Sequence, residues 1–507
     1  KRFNPEIKLV VDSLRYKGLI TENIAAEIHF ENDSILKLNY LDLHYKETVA
    51  NIYGEVNAHS SQRELLKNNP FDLDFYVKVK GKSEDLNDYL KTTNFIFKSG
   101  NFEFNGNYKA QSKDLTLLNS EGFGDLKIHG TSVHYKAANL QIPIDSLHIE
   151  INNDLATLKT LDIKLPGKSK VYFSGAIDHF SSFINDVDDL NNHSSNFSVY
   201  APYIDTSNIK EFLEQSTIGK ADPKDFDFKK WKESMRKINE SFYPRITIQI
   251  DSLKHEKLNI TGFESELLFD KNGDIKIDDT QLYFYSGSIK MDVSVGITTV
   301  NDTPVDIDMR VDDMNLHQFL AAFDYLNNDD LRAADSIQGF LNYKIKANGT
   351  LDSEGKLNMA SLNGALQLEV ENLALYNYRP LMENVPLIKA ERFKNLRFRP
   401  IGQTFEIRNG HIIIPRTEIQ SSAIHLFVEG RLKLDEYMNI WLSVPWKNLN
   451  RNDGLTFPEK TSYKDAGAKF YVQFLQDKTK KKTKNKKLKV KIKLGNRKLR
   501  KMQEHLN

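Results

Sequence analysis

The 507-residue sequence predicts a mainly β protein built as one long antiparallel sheet, on three grounds: strict two-residue alternation of apolar and polar side chains, turn signals rich in Asn and Asp, and many aromatics against few Gly and Pro. Phe71, Leu73, Phe75, Val77 and Val79 interleave with Asp72, Asp74, Tyr76, Lys78 and Lys80, so one face of that strand is greasy and the other wet. The same period returns at Ile246, Ile248, Ile250; at Ile289, Met291, Val293, Val295; and at Val305, Ile307, Met309, Val311. It continues through Leu341, Tyr343, Ile345; Leu366, Leu368, Val370; Ile424, Leu426, Val428; and Ile440, Leu442, Val444. Asn272-Gly273 and Asn409-Gly410 supply the positive φ values of tight hairpins. The 30 Phe and 21 Tyr suit strands, and 14 Pro with 25 Gly leave short loops to Asn and Asp.

Two weak repeats punctuate this meander. Leu86-Asn87-Asp88-Tyr89-Leu90, Ile209-Lys210-Glu211-Phe212-Leu213 and Leu316-His317-Gln318-Phe319-Leu320 read as short amphipathic helices, each preceded by an Asp or Glu placed to cap it. Gly54, Gly175, Gly287 and Gly430 each sit inside an apolar-x-Gly-x-apolar strand motif, which suggests a bulge or sharp bend. Helical or irregular insertions are expected at 205–214, 223–241, 315–327 and 381–395, where the period moves from 2 towards 3.6. About 13 residues per strand and turn gives roughly 30 strands, and a sheet that long curls. The expected division is an N-terminal β segment over 1–200, a helical insertion over 201–245, a second β segment over 246–476, and a basic terminal strand and tail over 477–507.

Composition removes several functions. With no cysteine, disulfides, thiolate zinc sites, iron-sulfur clusters and thiol nucleophiles are excluded. The net charge of +1 hides an asymmetry: Lys478 to Lys501 holds 14 of the 70 basic residues and no acid, so the rest is net acidic. An acidic body with one basic end does not match a nucleic-acid binder, whose cations line a face. In the tail, Leu488, Val490, Ile492 and Leu494 alternate with Lys487, Lys489, Lys491 and Lys493, a final strand whose lysines either protect an edge or meet anionic headgroups or an acidic partner.

No stretch reaches the ~18 apolar residues of a membrane span. The first residue is Lys1, and the sequence is expected to be part of a longer chain whose anchor precedes it.

Catalytic chemistry is sought and not found. The 13 histidines are scattered with no metal-ligand spacing, and neither a nucleophile elbow nor a phosphate-cradling glycine loop occurs. Asp72-Leu73-Asp74 and Asp306-Ile307-Asp308 resemble a cation-holding Asp-x-Asp pair, but both fall on the polar phase of a strand, where Asp keeps the face wet. Asp270-Lys271-Asn272-Gly273-Asp274 has its glycine in the wrong place for a calcium loop and reads as a turn. The expectation is no catalytic residue, no metal, no cofactor and no enzyme.

From about Gly262 to Pro445 the order of motifs resembles the C-terminal region of AsmA-like proteins, a family related to TamB and to bridge-like lipid transfer proteins. The resemblance is carried by Gly287 and the strand after it, Leu316-His317-Gln318-Phe319-Leu320, Gly349-Thr350-Leu351-Asp352 and Leu362-Asn363-Gly364-Ala365-Leu366. It continues in Phe393-Lys394-Asn395-Leu396-Arg397-Phe398, Phe405-Glu406-Ile407-Arg408-Asn409-Gly410-His411-Ile412 and Val428-Glu429-Gly430-Arg431-Leu432-Lys433-Leu434. Residues 1 to about 200 keep the strand grammar with fewer such motifs.

The resemblance implies an elongated, curved antiparallel β-groove (a β-taco) in the periplasm, anchored in the inner membrane by an N-terminal helix absent from this sequence. It would guide phospholipid or another acyl-chain lipid between inner and outer membrane. The alternative is a scaffold or assembly factor for an outer-membrane protein complex or export machine, its apolar face filled by its own side chains. On the first reading the candidate groove lining is Phe71, Leu73, Phe75, Val77, Ile246, Ile248, Ile289, Met291, Val293, Val305, Ile307, Met309, Leu341, Ile345, Leu366, Leu368, Ile424, Leu426, Val428 and Leu442.

Overall fold

The alternating segments pair as strands in near-sequential order. The structure, a computed structural model, describes residues 5–16, 19–31, 34–58, 70–90, 95–113, 116–136, 139–178, 195–214, 228–229, 232–233, 235–236, 244–256, 258–270, 274–297, 303–322, 337–377, 389–433, 437–446, 468–477 and 489–494. It divides into two units: Lys1–Phe226 with Glu233–Glu256 and Glu266–Lys271, and Asp227–Lys232 with Lys257–Ser265 and Asn272–Asn507.

In the first unit β1 (Glu6–Tyr16), β2 (Leu19–Phe30), β3 (Ile35–Tyr45), β4 (Thr48–Ala58) and β5 (Phe71–Lys82) pair antiparallel, each with the next. The short β6 (Phe95–Phe97) pairs with β8 (Thr116–Tyr135), so β5 takes β7 (Asn101–Lys113) as its neighbour. Antiparallel order resumes through β8, β9 (Leu140–Asn152), β10 (Leu155–Lys164), β11 (Lys170–Ile177) and β12 (Ser195–Ala201). Here the meander breaks. β14 (Pro244–His255) runs parallel to both β12 and the two-residue β13 (Ile204–Asp205). A parallel neighbour needs a long crossover, which the residues between β13 and β14 provide. Backbone pairing holds β12, β13 and β14 in the first unit, including Ile246 and Ile248.

β15 (Leu258–Phe269) contributes residues to both units. The second unit then pairs β16 (Asp274–Phe284), β17 (Gly287–Gly296), β18 (Thr303–Asn315), β19 (Ile337–Leu351) and β20 (Asn363–Tyr376) antiparallel in chain order. β20 is flanked by both β21 (Asn395–Arg397) and β22 (Ile401–Arg408). β23 (His411–Gln420), β24 (His425–Lys433), β25 (Tyr437–Pro445), β26 (Lys469–Asp477) and β27 (Lys489–Leu494) complete the series. β27 realises the expected lysine-rich final strand, and its pairing with β26 places it in the sheet of the second unit.

The turns use the expected chemistry. Asn409 (φ 51°) and Gly410 (φ 73°) close the β22–β23 hairpin with two left-handed residues. The Asn272-Gly273 turn lies outside the described residues. Asn23, Asp279 and Asp313 adopt positive φ at register shifts within strand pairs, where a short polar side chain tolerates the left-handed region. Asp313 N–H donates to Asn342 Oδ1 at 2.6 Å, which pins one such bulge.

Three of the four in-strand glycines also adjoin shifts: Gly54 opposite Leu38, Gly175 opposite Leu158 and Gly430 opposite Ile414. Gly287 instead pairs with Phe284 to close a hairpin. Two further glycines act by making room. Gly106 and Gly124 are register partners, and a Cβ on either would lie 2.8 or 2.9 Å from the Phe104 ring, which spreads across both.

The three repeated helix motifs form α1 (Leu86–Leu90), α2 (Thr206–Glu214) and α3 (Leu316–Ala322). Asp205 Oδ1 accepts from Ser207 N–H at 3.0 Å and caps α2 as expected, whereas α3 is capped by Asn315, whose Oδ1 accepts from Gln318 N–H at 3.0 Å. Before α1 stands a 3-10 turn (Ser83–Asp85) whose cap position makes no side-chain hydrogen bond. Most of 223–241 and 381–395 is outside the described residues; the latter ends in a 3-10 turn (Ala390–Phe393) and β21.

Candidate functional site

Register turns the alternation into continuous apolar rows across strands. In the first unit Leu9, Ala26, Leu41, Ile52, Val77, Gly106, Gly124, Ile151, Ala156 and Ile177 are successive cross-strand partners. A neighbouring row joins Val79, Phe104, Leu126, Ile149, Leu158, Gly175, Phe197 and Ile246. Of the candidates in this unit, Phe71, Leu73, Phe75 and Val77 on β5 and Ile246 and Ile248 on β14 are all half-buried, while Tyr76, Lys78, Lys80, Arg245, Thr247 and Gln249 on the opposite phase are exposed.

In the second unit one row runs Met291, Met309, Ile345, Leu366, Phe405 and a second runs Ile277, Val293, Ile307, Ala347, Gly364, Ile407. Met291, Met309, Ile345, Leu366 and Phe405 are half-buried along the whole row. Towards one end of the strands Phe284, Val311 and Met314 are buried together with Phe319 and Ala322 of α3 against them. Towards the other end Ala347, Leu362 and Ile407 are buried against Leu357 and Met359. Between these two plugs the apolar strip keeps partial solvent access. A face covered by a second sheet would bury such side chains fully. In the first unit α1 supplies a similar plug, with Leu86 buried on Phe102 and Ile128.

Not every candidate lies on the accessible strip. Val305, Ile424 and Leu426 are buried. The physical reason is clearest for Ile424 and Leu426: Phe393 and Leu396, both at 0% exposure, fold back over them, with Val428, Leu442 and Val472 packed at the margin. Arg392 donates to the Ala423 carbonyl at 2.9 Å and ties the covering turn to this segment. The remaining second-unit candidates, Ile289, Met291, Val293, Ile307, Met309, Leu341, Ile345, Leu366 and Leu368, are half-buried as the alternation requires. Phe405 and the plugging Phe319 were absent from the candidate set, although the alternation of β22 and the Leu316-to-Leu320 motif both signal them.

The wet face carries paired charges. Asp308 meets Lys346 at 2.5 Å, and Asp74 accepts from Asn107 at 2.7 Å and lies 3.3 Å from Lys109. Both Asp-x-Asp segments thus have a carboxylate engaged with side chains of the adjacent strands. Asp278, Asp292, Asp306, Asp308, Lys276 and Lys346 rim an open concavity of about 510 Å³. Burial there, with the Asp292 carboxylate beside it, holds Asp278 above the usual carboxylate range.

The structure also assembles a trio that sequence spacing hides. Asp125 on β8 stands opposite Glu150 on β9, and His148 Nε2 lies 2.8 Å from Asp125 Oδ2 and 3.8 Å from Glu150 Oε1. Such a group offers three metal-type donors. However, Lys127 meets Asp125 at 3.0 Å and Lys159 meets Glu150 at 2.8 Å, so each carboxylate already has a cation and the cluster functions as a surface ion-pair network. Among the described residues no helix is long and apolar enough to cross a membrane.

No family model, curated protein or solved structure matches this chain.

Proposed function

We propose that the apolar strips hold the acyl chains of phospholipid or similar lipid, and that the chain acts as a non-enzymatic, AsmA-like lipid-handling protein of the periplasm serving the outer membrane. One observation carries this reading: the row Met291, Met309, Ile345, Leu366, Phe405 is apolar throughout and half-buried throughout, with a packed cluster towards each end of its strands, the second of which touches Ile345 and Leu366. Each methylene transferred from water to such a surface contributes about 0.8 kcal/mol, so an acyl chain gains affinity without any convergent polar site. Headgroups remain in water. The unbranched, polarizable methionine side chain adapts to chains of varied length and unsaturation.

A scaffold reading is favoured at the cluster of Phe393, Leu396, Ile424 and Leu426, which is filled by its own side chains. Photo-crosslinking separates the two. A benzophenone residue at Ile345 is expected to capture phospholipid in cells, and one at Lys344, on the opposite phase of β19, is not. Equal lipid capture at both positions, or none at Ile345 together with lipid-free protein by native mass spectrometry, sinks the lipid reading.

A further inference from the structure

The wet face of the first unit carries aromatic side chains where the alternation calls for polar ones. Tyr53, Tyr76, Asn107, Phe123 and Asn152 are successive cross-strand partners on β4, β5, β7, β8 and β9, on the face opposite the row through Ile52, Val77 and Ile151. Tyr53 and Tyr76 stack on each other, with ring centroids 5.1 Å apart and planes 8° from parallel, a cross-strand pair that stabilises the sheet. Phe123 has no such account. It is 40% exposed, has no ring contact among the described residues, and its neighbours of the same phase on β8 are Glu121, Asp125 and Lys127.

Between Tyr76 and Phe123 stands a single strand, whose residue at that position is the slender Asn107. The two aromatic positions are therefore two strand spacings apart, ~9.6 Å. That is close to twice the separation of the stacked tyrosines, so one ring set above Asn107 would meet Tyr76 and Phe123 at the same stacking distance. The slot is open: a concavity of about 440 Å³ takes in Tyr76, Asn107, Phe123 and Asn152. Its floor is fixed, because Asn107 Nδ2 donates to Asp74 Oδ1 at 2.7 Å and to the Phe75 carbonyl at 3.2 Å, which uses both amide hydrogens and leaves Oδ1 to accept. Beside it runs a second row, Lys78, Asn105, Asp125 and Glu150, on the same face.

We propose that the slot between Tyr76 and Phe123 binds an uncharged saccharide chain, one sugar ring lying between the two aromatic side chains. A pyranose ring presents C–H groups on its faces, which suit the negative faces of aromatic rings, and hydroxyls around its rim, each both donor and acceptor. Asn107 Oδ1, the Asn152 amide and the row from Lys78 to Glu150 supply the matching partners. The charges nearby are already compensated: Asp125 lies 2.8 Å from His148 and 3.0 Å from Lys127, Glu150 2.8 Å from Lys159, and Asp74 3.3 Å from Lys109. A phosphate would have to face these carboxylates, whereas a hydroxyl can donate to a carboxylate that keeps its cation. An acyl chain gains little from a slot with polar rows on both sides. The site lies on the face opposite the apolar strip, and the inference is independent of what that strip carries.

The test titrates the full chain with cellohexaose, maltohexaose and chitohexaose by calorimetry, and in parallel with oligothymidylate and with phosphatidylglycerol vesicles. At least one hexaose is expected to bind, with saturation transferred from aromatic protons to the sugar's ring C–H protons by NMR. Phe123→Ala and Tyr76→Ala are each expected to weaken that binding about tenfold or more, and Phe123→Trp to keep it. Tyr108→Ala removes an equally exposed ring from the other face, opposite Phe75, and is expected to leave sugar binding unchanged. Since Phe123 is exposed, Phe123→Ala is expected to melt with the unmodified chain, which separates lost binding from lost fold. The proposal is overturned if none of the three hexaoses binds, or if binding survives Phe123→Ala undiminished. Phe123-dependent binding of oligothymidylate or vesicles with no hexaose bound overturns it too, and assigns the slot to that ligand instead.

Discussion

Met291 of β17 and Met309 of β18 stand directly opposite each other, both half-buried, in the row that separates the two packed plugs of the second unit. On the reverse face of the same two strands Asp292 opposes Asp308, and Lys346 offsets the second carboxylate. One strand pair thus carries an apolar couple on one side and a charge-compensated couple on the other.

Met309→Asp is expected to destabilise the second unit by about 2–4 kcal/mol, since it sets a charge among Met291, Ile345 and their neighbours. Asp308→Asn is expected to stay within about 1 kcal/mol, because it removes one surface ion pair and also one like-charge opposition. Chemical denaturation of both variants measures the contrast, and equal losses contradict the assignment of faces. In lipid capture, Met309→Asp is expected to reduce the yield several-fold while Asp308→Asn leaves it unchanged.

Phe393 and Leu396 sit at 0% exposure over Ile424 and Leu426. Truncating Phe393 to Ala is expected to cost about 3–5 kcal/mol, as a full cavity opens in a packed cluster. Ile345→Ala removes a side chain that already touches water, and its cost is expected to be less than half as large. If thermal melts show Ile345→Ala to be as damaging as Phe393→Ala, the central strip is covered and the accessible face is an error.

Phe104 lies over both Gly106 and Gly124. Gly124→Val forces that ring off its seat at an expected cost of about 1–3 kcal/mol. Combining it with Phe104→Ala is expected to cost less than the sum of the two changes, which a double-mutant cycle by denaturation reads directly.

Asp205 is held at a pKa of about 2, below the ordinary 3.8, by the Ser207 hydroxyl and backbone N–H and then by Lys254. A carboxylate depressed in the folded state contributes stability that is complete above its unfolded pKa and is lost as pH falls through its folded one. The stability difference between the unmodified chain and Asp205→Asn is therefore expected to be constant above about pH 5 and to shrink between about pH 4 and pH 2. A difference that stays constant to pH 2 contradicts the hydrogen-bonded carboxylate.

The sequence by itself determined the strands, their two faces and the short helices, because the two-residue period and the Asx-rich turns are local properties of the backbone. Met309 and Asp308 can be assigned to opposite faces from their neighbours alone. Tertiary structure decided the rest. Alternation says which side a residue faces but not which residue stands opposite it or what lies above it. The register of β8 with β9 brings His148 to Asp125, and the parallel pairing of β12 with β14 carries Ile246 into the first unit. The return of Phe393 and Leu396 over Ile424 and Leu426 buries all four in one packed cluster. Each of these rests on a contact between segments distant in the chain, which the local two-residue period does not encode.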